Sequence, residues 1–76
     1  MTAKEMFKEL GFEFDTTEYK AFKPDFNYTD YDGNGIIFDL ENERIDIITI
    51  TTIRIKKIKK LTEAINKQVE ELGWNE

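Results

Sequence analysis

The chain lacks cysteine and histidine altogether. No disulfide can therefore hold the fold together, and a structural zinc site, which needs thiolate or imidazole ligands, is close to excluded. Cysteine nucleophiles and serine–histidine systems are excluded as well, because one member of each is missing. Carboxylates are abundant, but nothing in the sequence pairs two of them for acid–base chemistry. The sequence therefore predicts a protein that is not an enzyme and has no cofactor.

Long apolar runs are also missing. No segment approaches the roughly 20 apolar residues of a membrane-spanning helix, and the first residues, MTAKEMFKELG, lack the apolar core of a signal peptide. We therefore expect a cytoplasmic protein without membrane association. A length of 76 residues predicts one domain, 1–76, with a thin margin of stability.

What the chain does contain is a helix pattern at each end. Thr2 and Glu5 match a capping box, which starts a helix. Gly11 and Gly73 are placed to end helices in the left-handed conformation, so that the following Phe12 and Trp74 fold back and become buried against Phe7 and Val69. The start of the second helix stays open between about residue 52 and residue 62, and the earlier start is favoured because Ile55 and Ile58 extend its apolar stripe.

The middle of the chain has the composition of strands. Residues 26–31, 36–40 and 45–53 are rich in β-branched and aromatic side chains, and 18–23 is either a fourth, edge strand or a loop. The sum predicts an α+β fold: an N-terminal helix, an antiparallel meander of three or four strands, and a C-terminal helix packed with the first on one face of the sheet. The strand order and the oligomeric state stay open, and a homo-oligomer is compatible with the sequence.

Residues 29–41, TDYDGNGIIFDLE, have the spacing of an EF-hand calcium loop, with Gly35 at the sharp turn. Pro24 lies where an entering helix should be in mid-course, and strand-like sequence follows the loop. Asp-Gly and Asn-Gly are also the commonest hairpin dipeptides. We therefore interpret the stretch as a hairpin turn, and the alternative is a calcium-binding module. Its candidate ligands are Asp30, Asp32, Asn34 and Glu41.

Charge is distributed unevenly along the chain, whose net charge is −5. Residues 1–50 carry 12 acids and 5 bases, whereas residues 54–60, RIKKIKK, carry five bases and no acid. This stretch is the predicted partner-binding region, and a protein partner of unknown identity is favoured. Nucleic-acid binding is the weaker alternative, because no aromatic residue is interleaved for base stacking and the acidic remainder repels phosphates. The candidate residues are Arg54, Lys56, Lys57, Lys59 and Lys60.

The head MTAKEMFKELGF and the tail AINKQVEELGW resemble small uncharacterised proteins encoded by phages and prophages of low-GC Gram-positive bacteria. The segment GIIFDLENE resembles their central strand and turn, whereas 45–60 departs from the pattern with a longer connection rich in Ile and Lys. The resemblance implies a phage-borne accessory protein of the host cytoplasm. Small size, missing catalytic side chains and asymmetric charge then favour a protein that binds and modulates, for instance inhibits, a host or phage protein. Mimicry of nucleic acid by an acidic face is a further hypothesis.

Overall fold

A computed structural model of the protein describes residues 1–17, 21 and 23–74. The strands lie in sequence order, β1-β2-β3-β4, in one antiparallel sheet. The predicted α+β fold, a helix at each end of an antiparallel meander, is confirmed. Its elements are α1 (Ala3–Glu9), β1 (Phe12–Thr17), β2 (Asp25–Asp30), β3 (Gly35–Asp39), β4 (Arg44–Ile48) and α2 (Ile55–Leu72).

The core forms where α1 and α2 pack together on one face of the sheet. Phe7 of α1 is completely buried; its ring stacks on Tyr28 at 3.9 Å between centroids and meets the edges of Phe12 at 6.0 Å and Phe38 at 6.3 Å. Such aromatic pairs add to the burial of apolar area. Because side chains alternate between the two faces of a strand, one sheet face supplies most of the apolar residues. These are Phe12, Phe14, Phe26, Tyr28, Ile36 and Phe38.

One polar contact ties α2 to this core. The buried Tyr28 hydroxyl donates a hydrogen bond of 2.5 Å to Oε1 of Gln68, which is itself only 4% exposed. Burial, with a further contribution from the negative charge of Glu71, raises the pKa of Tyr28 to about 12. Both polar groups are thereby satisfied inside the apolar layer, as buried polar groups must be.

The opposite face of the sheet is predominantly acidic. By strand alternation and register, this open sheet face carries five carboxylates and one base, Arg44, whose guanidinium lies 3.1 Å from Asp39. Half-buried Ile37 and the half-exposed Ile48 lie among them. The five carboxylates are those of Glu13, Asp15, Asp25, Asp39 and Asp46.

The start of α1 and the end of α2 follow the local signals predicted from the sequence. The Thr2 hydroxyl accepts from the Glu5 amide at 3.2 Å, and the Thr2 amide donates to the Glu5 carboxylate at 2.8 Å, which completes the capping box. Gly73 has a φ of 76°, and the next residue, Trp74, donates its amide to the carbonyl of Val69 at 3.0 Å. This is the backbone geometry of a Schellman cap.

The two aromatic residues after the helices differ in burial. Phe12 is 2% exposed and touches Phe7, as predicted. Trp74 is only half-buried, and its ring packs near Phe38, with centroids 6.3 Å apart. The prediction of a largely buried Trp74 was therefore too strong, because this ring lies at the margin of the core.

Two element boundaries differ from the predictions. Helix α2 begins at Ile55, between the two predicted starts, and Arg54 precedes it without a side-chain cap. Strand β4 ends at Ile48 instead of continuing to residue 53. The amides of Ile50 and Thr51 donate to the side chain of Asn34 and so leave the ladder of the sheet.

The fourth strand also lies elsewhere than predicted. It is β1, residues 12–17, whereas residues 18–20 and 22 of the predicted segment lie outside the described residues. Phe12 and Phe14 alternate with Glu13 and Asp15, which is the period-two pattern of a half-buried strand. Interpreting Phe12 only as the residue after a helix cap obscured that signal.

Candidate interaction surface

The predicted calcium loop is the turn between β2 and β3, so the hairpin interpretation is confirmed. Oδ1 of Asp30 accepts from the amides of Asp32 at 3.0 Å and Asn34 at 2.8 Å, and Oδ2 accepts from Nδ2 of Asn34 at 2.8 Å. An aspartate that accepts from the backbone two residues later is a standard turn-forming arrangement. Strands flank the loop on both sides, whereas an EF-hand requires helices.

The next turn repeats this arrangement. Asp39 accepts from the amides of Glu41 and Asn42, both at 3.1 Å, and from Nδ2 of Asn42 at 2.9 Å. Glu41 therefore belongs to the turn at the other end of β3, where its carboxylate accepts from the amide of Lys23 at 3.1 Å. The four candidate calcium ligands are not brought together. Among the described residues, no three acidic side chains form a group that could hold a metal ion.

A calcium titration tests this interpretation of the hairpin. We expect the amide resonances of Asn34 and Gly35 to stay unchanged as calcium rises to about 1 mM, a range in which even weak extracellular calcium sites fill. The physical reason is that the Asp30 carboxylate already accepts three hydrogen bonds within its own turn. Saturable shifts at these amides would contradict the interpretation and restore the calcium alternative.

Asn34 has a structural role that the sequence did not reveal. It is 3% exposed, and its Nδ2 donates to Asp30 and, at 2.9 Å, to the hydroxyl of Thr51. Its Oδ1 accepts from the amides of Ile50 at 2.7 Å and Thr51 at 3.2 Å. All four hydrogen-bonding positions of the amide are thereby used. This one side chain holds the backbone just after β4 in place.

The hydrogen bonds in the two turns have a consequence at acid pH. Donation from the Asn42 side chain and backbone, then from Arg44, lowers the pKa of Asp39 to about 2. For Asp30, burial opposes ionisation, but donation from Asn34 and Asp32 and the charge of Lys57 hold the pKa below its usual range.

A lowered folded-state pKa means that these carboxylates stabilise the fold at neutral pH. This contribution is present above the unfolded pKa of about 3.9 and is lost as the pH falls through the folded-state values. We expect the carboxyl carbon of Asp39 to titrate with a midpoint of about 2 in an NMR pH series, and the melting temperature to fall over the same acid range. A midpoint near 4 would show that the turn does not hold the carboxylate as described.

The predicted basic stretch forms the start of α2. There is no acidic residue in the first turn and no side-chain cap at Arg54. Nζ of Lys57 lies 3.9 Å from Oδ2 of Asp30 and 5.4 Å from the centre of the Phe12 ring. Cations at a helix N-terminus oppose the helix dipole, so this charge distribution weakens the local helix. Lys57 is partly neutralised by Asp30, which leaves the other bases as the more available charges.

Most of the basic stretch faces a groove between α1 and α2. Two hollows, of about 480 Å³ and about 280 Å³, adjoin there and share Leu10 and Lys60. We call them together the α1–α2 groove. Its lining combines apolar side chains of α1 and the chain start with charged side chains of α2. Lining residues are Met1, Met6, Glu9, Leu10, Arg54, Lys56, Lys57, Lys60 and Glu63.

The structure therefore divides the five predicted partner-binding residues. Arg54, Lys56, Lys57 and Lys60 surround Leu10, whereas Lys59 is exposed and does not line the groove. Around the helix axis Lys60 and Lys57 lie about 40° and about 100° to one side of Lys56, whereas Lys59 lies about 60° to its other side, beyond the groove. Leu10, the apolar member of this group, is not among the predicted partner-binding residues, because its position beside α2 depends on how the two helices pack.

Neither described helix combines the length and the apolar character that crossing a membrane requires. Comparison of the chain with protein-family models, with curated proteins and with solved structures found no match. The inference of function therefore rests on the α1–α2 groove and the open sheet face.

Proposed function

We propose that the protein is a non-enzymatic accessory protein of phage or prophage origin, which binds a host or phage protein through the α1–α2 groove and modulates its activity. The observation that carries the proposal is the gathering of Arg54, Lys56 and Lys60 around Leu10 on an otherwise acidic chain. A binding surface of this kind offers an apolar contact with a charged rim.

The position of these bases supports a role in binding. They lie at the uncapped N-terminus of α2, where positive charge weakens a helix. Among the described contacts, Lys57 has a nearby carboxylate in Asp30. Residues that disfavour the local secondary structure, such as bases at the start of a helix, are typical of functional sites.

The groove indicates the chemistry of the partner surface. Leu10 and Met6 offer apolar contact area, and the bases at one end favour carboxylates. Opposite charge across an interface raises association rates and selects among partners. The expected partner therefore presents an apolar side chain flanked by acidic ones.

Affinity capture from a host lysate tests the proposal, with a charge-reversal variant of the groove and a charge-reversal control outside it. The double variant Lys56→Glu/Lys60→Glu changes the groove, whereas Lys59→Glu changes the same helix outside it. We expect the wild type and Lys59→Glu to recover the same protein, and the double variant to recover roughly tenfold less of it or none. Recovery should also fall as salt is added.

Two outcomes would contradict the proposal. One is that no protein is recovered above background. The other is that the double variant and Lys59→Glu recover the partner equally. Loss of the captured material after nuclease treatment would instead indicate nucleic-acid binding by the same bases, the alternative from the sequence.

A second candidate function is favoured by the open sheet face. Its five carboxylates lie on strands about 4.8 Å apart and could occupy the phosphate-binding surface of a DNA-binding protein. The variant Glu13→Gln/Asp15→Asn tests it, because both side chains are exposed and distant in sequence from the groove bases. Loss of the captured protein in this variant, with recovery intact in Lys56→Glu/Lys60→Glu, would transfer the binding site to the sheet.

A further inference from the structure

Strand β4 forms an edge of the sheet that has few of the features that commonly block pairing. Within the described chain it pairs only with β3, in an unbroken register from Arg44 to Ile48. It contains no proline, lysine or bulge, which commonly block an exposed edge, and its charged side chains are Arg44 and Asp46. Ile47 on the helix side is 57% exposed and Ile48 on the open side is 48% exposed. The helix side of this edge is therefore apolar, with Ile45 and Ile47, whereas its open side carries Ile48 beside the charged Arg44 and Asp46.

The opposite edge, β1, has a different character. Its exposed side chains are polar: Glu13, Asp15, Thr16 and Thr17. Two acids give β1 a net charge of −2, so two β1 edges repel each other. Strand β4 carries one base, Arg44, and one acid, Asp46, and is neutral. The two β4 edges themselves therefore add no net charge to the contact between two chains, each of which carries a charge of −5.

We propose that two copies of the chain associate through antiparallel pairing of their β4 strands about a twofold axis, which joins two four-stranded sheets into one. The unpaired backbone groups of the edge can form hydrogen bonds with a further strand. A second β4 offers such a strand, with Ile45 and Ile47 on the helix side, Ile48 on the open side and no net charge. Closed twofold dimers are the commonest soluble homo-oligomers.

The length of β4 sets the register. Only pairing centred on Asp46 aligns every residue from Arg44 to Ile48 with a residue of the second strand. Ile45 then lies opposite Ile47 of the second copy, and the reverse pair forms on the other side of the axis. Both pairs extend the helix-side apolar face, where Ile45 already packs against the core. On the open face, Asp46 lies opposite its own copy, with Arg44 of the second copy diagonal to it.

Sedimentation analysis over about 1 µM to 1 mM protein tests the association. We expect the mass to rise with concentration from 9.0 kDa towards twice that value. Ile47→Lys should keep the chain monomeric throughout, because it places two charges against apolar side chains at the paired edge. The control Thr16→Lys makes the same charge change on the β1 edge and should associate like the wild type. Thermal melts confirm that each variant is folded.

The variant Asp46→Asn tests the proposed register of the two β4 strands. This variant removes two like charges that face each other at the axis, so the dimer should become roughly two- to fivefold tighter. Asp15→Asn makes the same chemical change on β1 and should leave association unchanged. Hydrogen exchange of the wild type requires no mutation: the β4 amides that point away from β3 should become better protected as protein concentration rises.

Several results would overturn the proposal. A mass that stays at 9.0 kDa throughout the concentration range excludes the dimer. Association abolished by Thr16→Lys but not by Ile47→Lys places the contact at β1. An Asp46→Asn variant with unchanged or weaker association rules out pairing centred on this residue.

Discussion

Replacing Phe7 by alanine should lower the free energy of unfolding by about 3–5 kcal/mol, the usual cost of removing a buried aromatic ring. Phe7 contacts three other rings of the described core: it stacks on Tyr28 at 3.9 Å and meets Phe12 and Phe38 edge-on, and it has no exposed surface. Its removal leaves a cavity between α1 and the sheet. For so small a protein, this is a large part of the total stability.

Urea titration followed by circular dichroism measures this change. Tyr31→Ala is the control, because it truncates an aromatic ring that is fully exposed; we expect a change within about 0.5 kcal/mol. If Phe7→Ala is already unfolded without urea, Phe7→Leu leaves a smaller cavity and keeps the transition measurable. A cost below about 1 kcal/mol for Phe7→Ala would contradict the described core.

Asn34→Asp should destabilise the protein by about 3 kcal/mol at neutral pH, although it changes one amide into a carboxylate of the same shape. The variant loses the donors to Asp30 and Thr51 and places a second negative oxygen where Nδ2 now lies, 2.8 Å from Oδ2 of Asp30. Asn34 is nearly buried, so water cannot screen this repulsion well.

Asn42→Asp is the matched control, since Asn42 makes the same contact with Asp39 in an exposed turn. Its cost should be well below that of Asn34→Asp. The difference between the two variants in chemical denaturation should shrink as the pH falls far enough to protonate the carboxylates. Equal costs at neutral pH would show that the contacts from Asn34 to the β4–α2 segment contribute little stability.

The two helices could be predicted because their signals are local. Thr2, Gly11 and Gly73 act through residues within one helical turn, so the sequence alone contains the relevant partners. The end of β4 could not be predicted, because it is determined by Asn34, which lies 16 residues before Ile50 in the chain. The residues after Ile48 still have a high strand propensity. However, the buried side chain of Asn34 accepts the hydrogen bonds of the backbone amides that would otherwise extend the ladder.

The hairpin shows why spacing alone misleads. Asp30, Asp32 and Asn34 have the spacing of calcium ligands, yet two of them bond to each other and build a turn. The Asp39–Asn42 turn uses the same bonds without resembling a calcium loop. Calcium loops and hairpin turns both use Asp, Asn and Gly at short spacings. The secondary structure on either side of the segment distinguishes the two.

The candidate binding site was predictable only in part. The run of bases from Arg54 to Lys60 is visible in the composition of the chain. That Lys56 and Lys60 border Leu10, while Lys59 does not, follows from the packing of α1 against α2. Helical periodicity gives the relative directions of side chains along α2, but not which of its sides meets α1.

Chemical-shift mapping with the captured protein tests the central claim most directly. Isotope-labelled protein would be titrated with that partner, and the amide signals of the groove compared with those of the open sheet face. A binding site in the α1–α2 groove predicts the largest changes at Leu10, Arg54, Lys56 and Lys60. Changes confined to Glu13, Asp15 and the facing positions of the sheet, with the groove signals unmoved, would contradict it.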